Sequence, residues 1–166
     1  MKVRNVVKRE AIKMSVLTLL VLFISGIAWA QQGDAPADNM QLLREKIHAD
    51  KKLVVGTNMN LTEKEAKLFW PVYESYQKDL IKLNDRTIKL IHDYAVNMDK
   101  MTDDMAKKLL TDFMATEKDR QNLRQSYLPK FEKVLPLKKV MRYYQLENKI
   151  SAVVNYEVAK EIPLVE

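Results

Sequence analysis

His48 and His92 are the only imidazoles in this chain, and it contains no cysteine. A zinc site draws three or four ligands from such side chains, at recognisable spacing. Neither H-x3-H nor C-x2-C occurs, so a metal site would have to recruit acids such as Asp93. The plain reading is two surface histidines, with a metal-responsive protein as an alternative. Ser75, Ser126 and Ser151 fall inside helical patterns, and no glycine flanks them to form a nucleophile elbow. No glycine-rich phosphate loop is present. Asp103-Asp104 is a carboxylate pair, but it sits at a helix start, where two acids complement the helix dipole. These residues give no nucleophile, base and acid in one place. The chain reads as non-enzymatic, with no cofactor.

Two groups interrupt the patterning around them. Glu117, Arg120, Arg124 and Glu147 fall on or beside apolar stripes of two helical segments. A buried charge must be paired, so this spacing predicts interhelical ion pairs, with Glu147 meeting Arg120 or Arg124. The second group is Phe69-Trp70-Pro71-Val72-Tyr73-Glu74-Ser75-Tyr76, four aromatics in eight residues. Phe69, Tyr73 and Tyr76 share a helical stripe and read first as core. Exposed around a kink at Pro71, Trp70, Tyr73 and Tyr76 would instead be a partner surface.

The elements that carry these groups are all helical. A first helix spans about 39–55, capped by Asp38 or Asn39 and stopped by Gly56. Leu61-Thr62-Glu63-Lys64-Glu65 has the form of a capping box with Leu61 as its staple. It opens a long helix from Thr62 to Asn97, whose apolar side runs Phe69, Tyr73, Tyr76, Leu80, Leu83, Thr87, Leu90, Tyr94. The stepping passes through Pro71 without a phase change, which predicts a kink there and not a break. Met101-Thr102 opens the third helix, which Pro129 ends or kinks. Phe131 to Leu135 makes about one turn. A last helix starts at Leu137, and Pro163 ends it. Short connections make neighbours antiparallel, giving an elongated all-α hairpin or bundle of about four helices, the first short.

Composition and charge set the context. Residues 1–30 begin with Lys2, Arg4, Lys8, Arg9 and Lys13, continue as an uncharged apolar run from Ser15, and end Ala28-Trp29-Ala30. That is a secretory signal peptide cleaved after Ala30, and the run is too short for a permanent membrane anchor. The whole chain has 28 basic and 22 acidic residues; removing the signal, with five and one, leaves 23 and 21. A charge so near balance gives no warrant for nucleic acid as a partner. Residues 31–38 read as a flexible tail and 39–166 as a single helical domain. With no cysteine to staple it, packing must hold that domain together. Helices this long leave much surface for little interior, so the chain either forms a homodimer or keeps an exposed concave face. Its methionines, Met105 and Met114 among them, fill gaps or, if exposed, suit adaptable apolar contacts.

Leu61-Thr62-x-x-Glu65-Ala66 and Met101-Thr102-x-x-Met105-Ala106 lie 40 residues apart, each at a helix start. This resembles the L-T-x-x-Q motif pair of the Spy/CpxP family of exported bacterial envelope proteins, with Glu65 and Met105 standing where that family has glutamine. The resemblance implies a curved helical hairpin, usually a cradle-like antiparallel dimer, and no enzymatic activity. It implies a periplasmic location and, as partners, unfolded polypeptide clients or an envelope stress sensor. A zinc-associated branch of the family keeps the metal-responsive alternative open. A third reading is a structural scaffold whose helical face is a constitutive oligomer interface.

Overall fold

The computed structural model describes residues 37–165, with side chains described from His48 onward. Residues 1–30, read above as a signal peptide, and residues 31–36 of the expected tail lie outside the described residues. Four helices follow one another: α1, Ala37–Met59; α2, Glu63–Asn97; α3, Asp103–Glu132; and α4, Leu137–Glu161. A single 3-10 turn, Met98–Lys100, links α2 to α3. The fold is all-α, and α1 is the shortest of the four at 23 residues.

Within the span read as one domain, the residues group into two packed units. One combines residues 37–60 with 142–161; the other combines 61–141 with 162–165. In the first unit Arg142 Nε donates to the Asn58 carbonyl at 2.6 Å, and Lys51 Nζ lies 2.8 Å from Glu147 Oε2. Rising numbers on one helix meet falling numbers on the other, so α1 and α4 run antiparallel. In the second unit Phe69 packs on Phe131, Tyr76 meets Tyr127 edge-on, and Arg86 pairs with Asp119. This order makes α2 and α3 an antiparallel hairpin.

α1 differs from its predicted bounds at both ends. Ala37 and Asp38 are already helical, so the tail stops short of them. Gly56 does not stop the helix, which makes one further turn to Met59. Val55 and Met59 are both fully buried, four residues apart on one face. Burial of Met59 favours that extra turn by more than the roughly 1 kcal/mol that an interior glycine costs. Asn60 then ends α1 at φ 48, the left-handed conformation that asparagine tolerates best after glycine.

α2 starts as its sequence dictates. Thr62 Oγ1 accepts the Glu65 amide at 3.3 Å, and Glu65 Oε2 accepts the Thr62 amide at 2.8 Å. The capping box is complete. Pro71 lies inside a continuous helix, so there is no break. Its missing amide leaves the Lys67 carbonyl without its usual donor. Phe69, Tyr73, Tyr76, Leu80 and Leu83 are buried along the predicted stripe. α3 likewise runs through Pro129 to Glu132, taking in Phe131 and Glu132 of the turn predicted over Phe131 to Leu135 and leaving the rest as a turn. Phe131 is fully buried against Phe69 and Tyr76, and this packing holds the last turn in place. The Val134 and Leu135 amides both bond the Phe131 carbonyl, which turns the chain into α4 at Pro136.

Candidate functional site

The aromatic group on α2 is core. Tyr73 and Tyr76 are buried and Trp70 is half-buried. Trp70 packs edge-on to Phe69 and Tyr73 at 5.1 and 5.2 Å between centroids. This corrects the partner-surface reading of Tyr73 and Tyr76, which are buried, Tyr76 on the seam that α3 covers with Tyr127 and Phe131; Trp70 keeps part of its surface in solvent. The same seam carries a polar contact. Tyr127 Oη donates to Asp79 Oδ2 at 2.8 Å, and Lys130 Nζ sits 3.8 Å over the Tyr127 ring. Burial, helped by the Asp79 carboxylate, pushes the Tyr127 phenol up to about 12. Hydrogen bonds from Lys82 and then Tyr127 hold the Asp79 carboxyl below its ordinary range.

The four charged residues expected to pair between helices divide. Glu147 is buried in the first unit, and a cation on its carboxylate is Lys51, not Arg120. Lys51 was legible as a candidate: Lys51, Val55 and Met59 are spaced i, i+4, i+8, so Lys51 shares the buried face of α1. Glu117 is half-exposed and pairs with Arg120 three residues along α3, not across helices. Arg120 does cross the hairpin, donating to Asn84 Oδ1 at 2.8 Å and Thr87 Oγ1 at 3.1 Å. Beside it Thr116 is buried, its hydroxyl returned to the Asp112 carbonyl. A polar layer therefore crosses the middle of the hairpin. Arg124 is half-buried on α3.

The motif residues are positioned as caps. Thr102 Oγ1 accepts the Met105 amide at 3.3 Å, and Asp103 and Asp104 lie in the first turn. Leu61 and Met101 are half-buried just ahead of the two caps. Glu65 has a second role: it forms a salt bridge with Lys139 in the first turn of α4. Lys139 and the Thr62 amide together hold the Glu65 carboxyl below its usual value.

Among the described residues, no three His, Asp or Glu side chains gather as metal ligands. His92 is exposed, with Asp93 at 3.8 Å. Ser75 and Ser126 return their hydroxyls to helix carbonyls, of Pro71 and Leu123. An open groove of 470 Å³ between α2 and α3 is floored by Leu83 and Leu123 and rimmed by Asp79, Lys82, Arg86 and Asp119. Its carboxylates are held by its cations, through Lys82–Asp79 and Arg86–Asp119. Lys89 is likewise paired, with Asp93. This lysine-rich side of α2 is a locally neutralised, solvated face.

The surface that spacing did not single out is on α3. Leu110 and Met114 are 60% and 63% exposed and Phe113 is 46% exposed. At i, i+3 and i+4 they form one stripe beside the seam. Ala106 and Glu117 extend it, and exposed Lys107 and Lys118 flank it. The signal was in the sequence: Leu109-Leu110 and Phe113-Met114 supply more apolar residues than a two-helix seam can cover. No helix among the described residues is long and apolar enough to cross a membrane. No family model, curated protein or solved structure matches the chain.

Proposed function

We propose that this chain is an exported, non-enzymatic helical protein that holds polypeptide segments against the apolar stripe of α3. The observation that carries this reading is the exposure of Leu110, Phe113 and Met114 together on one helix face. A leucine, a phenylalanine and a methionine offer adaptable apolar contact without demanding a particular sequence, and the charged flanks keep the unliganded stripe soluble. The pattern of residues 1–30 supports export, and the paired helix starts support likeness to the Spy/CpxP proteins. Binding needs no nucleotide, because what drives it is burial of apolar surface.

The test is suppression of aggregation of a chemically denatured client. The isolated protein, at a several-fold excess, is expected to keep the client in solution. Replacing Leu110, Phe113 and Met114 together by serine should raise the concentration needed by about tenfold or more, because each side chain contributes roughly 1.5–3 kcal/mol when fully buried. The helical circular dichroism should not change. No suppression by the parent protein, or equal suppression by the variant, counts against the reading.

A further inference from the structure

We infer that a second surface, where α2 begins, α3 ends and α4 begins, docks on a bilayer rich in anionic phospholipid. Three contacts bring these segments to one place. Phe69 packs on Phe131 with 5.8 Å between centroids, Glu65 is salt-bridged to Lys139, and the Leu135 amide bonds the Phe131 carbonyl at 2.9 Å. Residues 63–68 and 128–141 together hold six lysines, three glutamates and no arginine. Lys139 and Glu65 neutralise each other. Lys64, Lys67, Lys133 and Lys138 are exposed and form no salt bridge among the described residues, and Lys130 lies over the Tyr127 ring.

Aliphatic side chains protrude among these lysines. Leu137 and Met141, one turn apart at the start of α4, are 68% and 64% exposed, while Val140 between them is buried. Leu68 and Leu128 are also exposed. The core-facing side of this turn is thus satisfied by Val140, and Leu137 and Met141 face outward with no internal partner surface.

The composition selects the occupant. Protein interfaces are enriched in arginine, tyrosine and tryptophan anchors and depleted in lysine. This surface has no arginine or exposed aromatic anchor: lysines on flexible stems surround protruding aliphatic groups. Lysine stems can lie along the headgroup region with their ammonium groups at the phosphates, while short apolar side chains enter the acyl boundary. Each lysine near an anionic leaflet adds attraction that fades within a Debye length. The surface is separate from the α3 stripe and would hold the protein at a membrane without a spanning helix.

The experiment is co-sedimentation of the isolated chain with vesicles of phosphatidylcholine, alone or mixed with phosphatidylglycerol. All variants are compared on chains with the same N-terminus, so that residues 1–30 contribute equally. Binding is expected to the mixed vesicles only, and to weaken as salt is raised. The variant K64E/K67E/K133E/K138E should lose affinity roughly tenfold or more. L137S/M141S should also bind less, with its salt dependence intact, and the serine variant of Leu110, Phe113 and Met114 should bind as the parent does. All of these positions are exposed, and unchanged circular dichroism confirms that each variant folds. Equal binding to neutral vesicles, or no loss in the lysine variant, overturns the inference. So does light scattering that shows a dimer dissociated by L137S/M141S, which would give the surface to a second copy.

Discussion

Tyr127 and Glu147 show how single polar atoms are handled in a protein with so little interior. Tyr127 keeps its proton because burial and the neighbouring Asp79 carboxylate both disfavour the phenolate. The folded pKa is raised, so this stabilisation is complete below the unfolded value of 10.0 and is lost as pH climbs toward about 12. Tyr127→Phe should cost about 1.5 kcal/mol at neutral pH through the lost hydrogen bond to a carboxylate. The gap between parent and variant should narrow above pH 10, and denaturant unfolding across that range checks both points. Glu147 is buried against Lys51, whose side chain is itself only 15% exposed. Glu147→Ala takes the carboxylate away from that half-buried ammonium and should cost about 3 kcal/mol. Replacing the pair together, as Lys51→Met with Glu147→Leu, should restore most of the loss, because neither charge then needs a partner. A melting temperature unchanged in Glu147→Ala would remove the ion pair from the account.

At the scale of elements, caps and prolines decide where helices start and how well they continue. Thr62 and Thr102 each accept one amide, and Thr62→Ala should cost about 1 kcal/mol. Glu65 does more than cap. Its carboxyl is lowered in the fold, so its contribution is present above the ordinary value of 4.5 and is lost as pH falls through the lowered one. Glu65→Gln retains the capping geometry but gives up the charge that meets Lys139. The variant should be less stable than the parent at neutral pH and match it in acid, as thermal melts at the two pH values would show. Pro71 denies the Lys67 carbonyl its donor inside α2, and Pro71 is exposed. Pro71→Ala should therefore stabilise the protein by about 1–3 kcal/mol. A loss of stability instead would mean that the proline's local geometry is required by the aromatic core beside it.

At the scale of the whole molecule, the two surfaces proposed to meet partners differ in kind. The α3 stripe is aliphatic and aromatic with sparse charge; the surface at the start of α4 is lysine-rich with protruding aliphatic groups. The serine variants of one and the glutamate variants of the other should separate client protection from vesicle binding. Loss of both activities in either variant would show that one surface serves both.

The all-helical class, the span of α2 and both threonine caps were legible in the chain, because they rest on local physics: 3.6-residue periodicity, side-chain acceptors for unpaired amides, and short connections. The burial of Phe69, Tyr73 and Tyr76 was legible for the same reason, since their stepping marks one face. Tertiary packing decided the rest. Met59 carried α1 past Gly56, and Phe131 carried α3 past Pro129, because burying a large side chain outweighs a local penalty of a kilocalorie or a few. Lys51 became the partner of Glu147 although 96 residues separate them. Periodicity can mark a charge as buried, but only the meeting of two helices chooses its counterion. The open surfaces were decided in the same way: Leu110 and Leu109 are the same residue type side by side, and only the position of the neighbouring helix leaves one of them in water.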